Sequence, residues 1–174
     1  VVAVEIDEMA AGQAFENVRQ SQWKDSIEVV CSDITKYNID EVKFDIIVCN
    51  PPFFRDSLRS PNAVRSQARH NDSLSYEKLA DTVLRLLAND GTFNLVLPFD
   101  MADTFTLIAA RRGLYMSKRT KVVTRQGVAP KRVLLSFVKQ QIVHVEEDEL
   151  VMFDSNNAET LDYISLVKDF YLKY

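Results

Sequence analysis

Residues 44–54 read FDIIVCNPPFF, an apolar run of strand length that ends in an asparagine, two prolines and two phenylalanines. Neither proline has a backbone N–H to donate to a sheet ladder, so the strand has to end at Asn50. The segment therefore predicts a buried strand that delivers an amide to a sheet edge and then presents an aromatic pair. The simpler alternative is a proline-terminated strand whose two phenylalanines enter the core.

The rest of the chain alternates between strand-like and helix-like patterns. Short β-branched runs at 1–7, 26–33, 43–50 and 92–98 are separated by helical patterns at 8–22 and 75–90, the second closed by Gly91. This alternation predicts an α/β fold with a mostly parallel sheet. Farther along the chain, the sequence predicts an antiparallel hairpin from 118–125 and 132–140, a strand at 149–153 and a helix within 161–174.

The length and composition predict a single domain, residues 1–174. Within it, residues 141–174 are predicted to form a strand–helix extension that packs on the rest. Of the 174 residues 47% are apolar and 26% charged, and no apolar run reaches the roughly 18 residues that a membrane helix needs. With no secretion signal visible at the start, a cytoplasmic protein without membrane contact is predicted. Cys31 and Cys49 lie in apolar runs, which favours two buried thiols over a disulfide or a metal site.

Charge is distributed unevenly although the net charge is only −4. Residues 111–139 contain nine Lys or Arg and no acid, whereas residues 146–162 contain seven acids and no base. Two interpretations are open: solvated faces of opposite sign that partly pair, or a basic surface for phosphates.

Three predicted strands end in groups that hydrogen-bond. The strand ends are Glu5-Ile6-Asp7, Ser32-Asp33-Ile34 and Asn50-Pro51, and parallel strands bring their carboxyl ends to one edge, where ligands bind. Glu5 is placed to accept the ribose hydroxyls of an adenosine cofactor, and Asp33 to accept its adenine amine. Ile6 and Ile34 offer apolar faces to the ring. Taken singly, each acid is more typical of a helix N-cap or a solvated turn, and it is the conjunction of the three strand ends that favours a cofactor site.

The order VEID (4–7), SDI (32–34) and NPPF (50–53) resembles the amino-methylating branch of the class I S-adenosylmethionine-dependent methyltransferases. The chain also resembles, more narrowly, the bacterial valine-tRNA adenine-N6 methyltransferase family. The pieces that carry this second resemblance are NPPFF, ARH (68–70), LVLP (95–98), APKRVLLSF (129–137) and FYLKY (170–174). The resemblance implies a Rossmann-like methyltransferase fold, S-adenosylmethionine as cofactor, tRNA as partner, and the N6 amine of an adenine, position 37 of valine tRNA, as target.

The NPPF chemistry follows from the weak nucleophilicity of an amine conjugated to a base. If Asn50 Oδ1 and the Pro51 carbonyl hold its two hydrogens, its lone pair is aimed at the sulfonium methyl, so Asn50 also borders the cofactor. Phe53 would stack on the base, and Phe54 would support it or touch the next nucleotide. The predicted substrate contacts are Pro52, Phe54, Arg55, Arg69 and His70 in the loop, and Lys131 and Arg132 beyond it.

The chain departs from the resemblance in one respect. A class I methyltransferase begins with a strand and a G-x-G turn, and neither precedes Glu5 in this sequence. We therefore expect the first strand to be missing, the sheet to be interrupted or rearranged, and cofactor binding by these 174 residues alone to be weak or absent. Three functions stay open: the tRNA adenine-N6 enzyme, a guanine-N2 ribosomal RNA or glutamine-amide methyltransferase, and a non-catalytic RNA-binding module. No metal is expected, and the oligomeric state is left unspecified.

Overall fold

The computed structural model describes residues 1–39, 42–51 and 74–171. Two compact units, Val1–Val42 and Lys43–Tyr174, are described separately below. In the described ranges no helix is long and apolar enough to span a membrane.

The first unit contains two parallel strands and one helix. Strands β1 (Val2–Glu5) and β2 (Glu28–Cys31) pair in parallel, and helix α1 (Glu8–Gln20) connects them. The α1 helix begins after Asp7, whose Oδ1 accepts the Ala10 N–H at 2.8 Å and so satisfies one of the unpaired donors of the first turn. The predicted helix is confirmed. Met9 and Phe15, which have helical spacing in the sequence, are 86% and 55% exposed, however, and Ala11 is the buried residue of this helix.

The second unit is built on a five-stranded sheet in the order β3-β4-β6-β5-β7. Its strands are β3 (Phe44–Cys49), β4 (Leu87–Pro98), β5 (Tyr115–Arg125), β6 (Arg132–Val138) and β7 (Glu146–Phe153). Only β6 runs against the others, pairing antiparallel with β4 and β5, while β3–β4 and β5–β7 are parallel. The predicted hairpin, the strand near 149–153 and the mostly parallel sheet are therefore confirmed, and the described strands form two separate sheets.

One face of this sheet carries the core. Helices α2 (Tyr76–Leu86) and α3 (Ala102–Ala110) supply part of it, and helix α4 (Leu161–Val167) follows β7. Alternate residues of the two central strands are fully or almost fully buried: Phe93, Leu95, Leu97, Val133, Leu135 and Phe137. The period of two is the pattern of strands with one buried face. Because the central strands are anchored in this way, the positions of their ends are well defined.

The helix predicted over 75–90 ends earlier, at Leu86, and β4 begins at Leu87. Gly91 does not close the helix. It lies inside β4 at a register shift, where Phe44 pairs with Leu87 and Ile46 with Thr92. A Cβ at Gly91 would lie 2.9 Å from the Phe44 carbonyl oxygen, so the absence of a side chain lets the two backbones approach.

Candidate active site

The carboxyl ends of β1 and β2 lie side by side in the first unit. Glu5 pairs with Cys31, and the Ser32 N–H donates to the Glu5 carbonyl at 2.9 Å. Asp33 follows directly, so Glu5 and Asp33 occupy the same edge of this small sheet, as predicted from the strand ends.

Glu5 is held by the turn that leads into α1. Its Oε1 accepts the Asp7 N–H at 2.8 Å, and Asp7 in turn caps the helix. Glu5 is half-buried, and the next residue, Ile6, is 64% exposed. The sequence thus presents an oriented carboxylate beside an exposed apolar side chain.

Asp33 organises the turn after β2. Its Oδ1 accepts both the backbone N–H and the hydroxyl of Thr35, at 2.9 and 2.8 Å, and its Oδ2 lies 3.9 Å from Lys36 Nζ. The predicted alternative for an isolated acid, a turn, therefore holds for Asp33. Ile34 beside it is half-buried. Two carboxylates flanked by two isoleucines form a set of acceptors and apolar faces that fits an adenosine group, whose ribose hydroxyls and adenine amine are donors.

The second unit supplies Asn50 and Pro51. Cys49, the last residue of β3, pairs with Leu95 and is half-buried, Asn50 is exposed, and Pro51 is buried. Burial raises the pKa of the Cys49 thiol to about 11. Asn50 is therefore an exposed amide between the half-buried Cys49 and a buried proline, which fits the predicted delivery of an amide to the sheet edge. The prediction that this strand is buried was wrong, because Ile46 and Val48 are 66% and 76% exposed on an edge strand.

Several predicted site residues lie outside the described residues: Pro52, Phe53, Phe54, Arg55, Arg69 and His70. Their roles stay predictions.

Lys131 and Arg132 lie at the same sheet edge as Asn50. Arg132 begins β6 opposite Pro98, the last residue of β4, and the Phe99 N–H donates to the Lys131 carbonyl at 3.1 Å. Strands in a sheet are about 4.8 Å apart, so two strand spacings, roughly 10 Å, separate β6 from β3. Both basic side chains are exposed.

The basic segment is partly neutralised, as one of the two interpretations of the charge pattern predicted. Arg112 Nε donates to Asp81 at 2.8 Å, and Lys118 pairs with Glu146, a hydrogen bond that raises the pKa of Lys118. Lys139 Nζ instead donates to the Leu87 carbonyl at 2.7 Å, and burial, followed by the nearby charge of Lys43, lowers the pKa of Lys139. These cations have partners within the protein.

Arg119 and Phe99 form a contact that the sequence did not reveal. The Arg119 guanidinium lies 5.3 Å from the centre of the Phe99 ring, and its Nη1 donates to Asp103 at 3.0 Å. Its buried Nε has no hydrogen-bond partner among the described residues. The only sequence signal was position, since Phe99 follows the strand end at Pro98. Phe99 therefore joins the residues at the edge that carries Asn50.

Among the described residues, no three His, Cys, Asp or Glu side chains are grouped so that they could hold a metal ion.

Residues 1–131 match the family UPF0020, described as an RMKL-like methyltransferase domain. The chain belongs to this methyltransferase family. A relative from Bacteroides fragilis, named tRNA1(Val) (adenine(37)-N6)-methyltransferase, is 46% identical over 99% of this chain and 73% of its own length. A relative of the same name from Haemophilus influenzae is 39% identical over 100% of this chain and 73% of its own length.

Solved methyltransferase structures share the fold. A predicted O-methyltransferase from Agrobacterium tumefaciens, protein Atu636, superposes with a TM-score of 0.74 at 18% identity, over 97% of this chain and 76% of that one. The glycopeptide N-methyltransferase MtfA, solved in complex with S-adenosyl-L-methionine, gives a TM-score of 0.59 at 13% identity, over 80% and 72% of the two chains. The predicted class I methyltransferase fold is thus confirmed.

Proposed function

We propose that this methyltransferase transfers a methyl group from S-adenosylmethionine to the exocyclic N6 amine of an adenine in tRNA, at position 37 of valine tRNA. The observation that carries the proposal is the exposed Asn50 amide, followed by the buried Pro51, at the carboxyl end of β3. The names of relatives at 39–46% identity over almost the whole chain support the choice of adenine and of tRNA.

The two units are proposed to serve one methyltransferase domain. The family match covers residues 1–131 and therefore includes all of the first unit and most of the second. In this proposal Glu5 accepts the ribose hydroxyls, Asp33 accepts the adenine amine of the cofactor, and Ile6 and Ile34 contact its ring. S-adenosylmethionine, when bound, supplies an electrophilic methyl group.

Asn50 and Pro51 act on the substrate amine. The Asn50 Oδ1 and the Pro51 carbonyl accept its two hydrogens, which turns the nitrogen lone pair out of conjugation with the base and fixes its direction. The ring of Pro51 restricts φ, and its burial restrains the carbonyl further, so the second acceptor is preorganised. After methyl transfer the substrate nitrogen carries a positive charge and is acidic, so it loses its extra proton readily. The active site therefore needs no base of unusual pKa.

The remaining substrate contacts are proposals from the sequence. Phe53 stacks on the target adenine and Phe54 supports it, which requires the base to be turned out of the RNA stack. The other substrate contacts proposed are Pro52, Arg55, Arg69, His70, Lys131 and Arg132.

The test is methylation of unmodified valine tRNA by the full-length protein with labelled S-adenosylmethionine, followed by mass spectrometry of the nucleosides. We expect N6-methyladenosine. Methylated guanine in ribosomal RNA or methylated glutamine in a protein, without methyladenosine, would replace this function by one of the two related ones. RNA binding without any methyl transfer would identify a non-catalytic module.

Asn50→Ala tests the mechanism. Removing a preorganised acceptor lowers kcat by about two to three orders of magnitude, with little change in KM for tRNA. Asn17→Ala is the matched control, because Asn17 is an exposed asparagine on α1 whose side chain accepts only from Gln13 within the hydrogen bonds described. An Asn50→Ala enzyme that keeps the kcat of the control rules out the two-acceptor mechanism.

A further inference from the structure

We propose that the end of the β5–β6 hairpin, residues 125–132, binds the phosphate backbone of the RNA a few nucleotides from the target base. This hairpin end, with Arg125 and Lys131 as its main contacts, would hold the substrate across the sheet edge that carries Asn50. The inference rests on the proposed function in that it takes an RNA substrate as given.

The pairing of β5 with β7 neutralises one half of β5 and not the other. At the amino half, residues 118–121 pair with the four consecutive acids 146–149, with Lys118 opposite Glu146 and Lys121 opposite Glu149. At the carboxyl half the partners are apolar, and Arg125 lies opposite Phe153. The positive charge that remains on β5 is therefore concentrated at its carboxyl end.

Arg125 and Lys131 are exposed, and neither forms an ion pair with any described residue. Arg112, Lys118 and Arg119 are ion-paired, and Lys139 is bound to a backbone carbonyl. The basic segment therefore contains cations that are bound within the protein and others that face solvent, and among the latter Arg125 and Lys131 lie at the edge that carries Asn50.

The topology brings that edge to Asn50. Strands β3, β4 and β5 run in the same direction and β6 runs against them, so the end of β3, the end of β5 and the start of β6 share one edge. With about 4.8 Å between strands, β6 and β5 lie roughly 10 and 14 Å from β3. The register places Asn50 level with Leu134 and Thr120, so Lys131 lies three residues and Arg125 five residues farther along, about 10 and 17 Å in the strand direction. Combined with the spacing between strands, the separations from Asn50 are roughly 14 and 22 Å. An RNA strand that places one base at Asn50 would therefore meet this hairpin end with phosphates a few nucleotides away from that base.

The backbone of the hairpin end is held in place. The Val128 N–H donates to the Arg125 carbonyl at 3.1 Å, the Gln126 N–H to the Phe153 carbonyl at 3.3 Å, and Gly127 takes the positive φ of 78° that the turn requires. Lys131 is fixed through its carbonyl by the Phe99 N–H. RNA binding would therefore order the side chains of Arg125 and Lys131 but would require little ordering of the hairpin backbone.

Three described acids lie at or next to this edge: Asp100 after β4, Asp154 after β7, and Glu159, which pairs with Phe153. Asp154 is occupied locally, because its Oδ1 accepts the Asn156 and Ala158 N–H groups at 2.8 and 2.9 Å. Asp100 lies near Tyr76, where burial and then the charge of Asp100 raise the pKa of the phenol. None of these three acids forms a described ion pair with Arg125 or Lys131.

The experiment measures binding of unmodified valine tRNA to the full-length protein between 50 and 200 mM salt (about physiological ionic strength). Each lost phosphate contact reduces the steepness of the plot of log association constant against log salt concentration by about 0.7–0.9. Arg125→Ala and Lys131→Ala should therefore each weaken tRNA binding more at low salt than at high salt, by about tenfold at 50 mM and about fourfold at 200 mM. At saturating tRNA, kcat should change less than about twofold, with the loss appearing in KM.

Arg111→Ala is the matched control. Arg111 is also exposed and forms no ion pair with a described residue, but it follows the end of α3, which returns the chain to the start of β5 at the opposite edge. Its binding and salt slope should match the unsubstituted protein. Unchanged slopes for Arg125→Ala and Lys131→Ala, or an equal loss for Arg111→Ala, would overturn the proposal.

The outcomes separate this proposal from the proposed function. A protein that makes N6-methyladenosine but binds tRNA equally well without Arg125 and Lys131 keeps its function and loses the hairpin-end surface. A protein that binds tRNA through the hairpin end but methylates another base keeps the surface and loses the adenine assignment.

Discussion

Gly91→Ala is expected to destabilise the second unit because it adds a methyl group between β4 and β3. The added Cβ would lie 2.8 Å from Leu87 Cδ1, 2.9 Å from the Phe44 carbonyl oxygen and 3.0 Å from the Asp45 carbonyl oxygen. The leucine methyl can rotate away, but the two oxygens belong to backbone inside a paired strand. The sheet must therefore open locally to accept the alanine.

The magnitude follows from two opposing contributions. Overpacking that shifts backbone costs about 1–3 kcal/mol, whereas replacing glycine reduces the entropy of the unfolded chain and returns about 0.4–1 kcal/mol. The net loss in the free energy of unfolding is about 1–2 kcal/mol, which corresponds to a Tm lower by roughly 2–8 °C for a chain of this size. Because β3 leads directly to Asn50, the displaced strand should also lower kcat.

The control is the same substitution at Gly12, where a Cβ would meet nothing within 4 Å. Gly12 lies inside α1, so Gly12→Ala should raise the free energy of unfolding by about 0.5–1 kcal/mol. Urea unfolding followed by far-UV circular dichroism measures both variants, and the fluorescence of Trp23, the single tryptophan, adds a probe in the first unit. A Gly91→Ala protein as stable as the unsubstituted chain would refute the close approach of the two strands.

Two further substitutions test the site. In a Cys31→Ser protein Cys49 is the remaining thiol, and burial, which raises its pKa to about 11, leaves about a hundredfold less thiolate at pH 8 than a thiol of pKa 9.0 has. Because the more basic thiolate is also the stronger nucleophile, its reaction with a disulfide reagent should be about tenfold slower. The rate should rise about tenfold per pH unit up to the pKa, and a plateau near pH 9 would contradict the burial of Cys49. Arg119→Met should change the free energy of unfolding by less than about 1 kcal/mol. The substitution loses the contacts with Phe99 and with the 82% exposed Asp103, but it also removes a buried Nε that has no described partner. A loss above about 3 kcal/mol in urea unfolding would show that the guanidinium is better stabilised than these contacts account for.

The elements that the sequence predicted well carry local signals. The prolines after Asn50 end β3 because they cannot donate a ladder hydrogen bond, and the loop containing Gly127 and Pro130 joins the two strands of the hairpin. These signals depend only on neighbouring residues. They also predicted which strand ends carry Glu5, Asp33 and Asn50.

The errors arise where packing overrides the local pattern. In the sequence Gly91 follows a helical pattern, as a C-cap glycine would. In the structure it lies inside β4, where the absence of a side chain lets β4 approach β3, and α2 ends at Leu86. Met9 and Phe15 have helical spacing with Val18, yet Ala11 is the residue of α1 that is buried. A pattern of apolar residues identifies the helix, whereas the face that is buried depends on the size of the side chains that fit against the strand.

The functional meaning of the charges depends on strand register, which is a long-range property. Shifting the parallel pairing of β5 and β7 by a few residues would move the acids 146–149 away from Lys118 and Lys121 and toward Arg125. The observed register instead places these acids opposite residues 118–121 and leaves Arg125 and Lys131, farther along toward the edge that carries Asn50, without a described ion-pair partner. A chain with a net charge of −4 can therefore present a local cationic surface to RNA, because phosphates within a Debye length respond to the nearby charges rather than to the total.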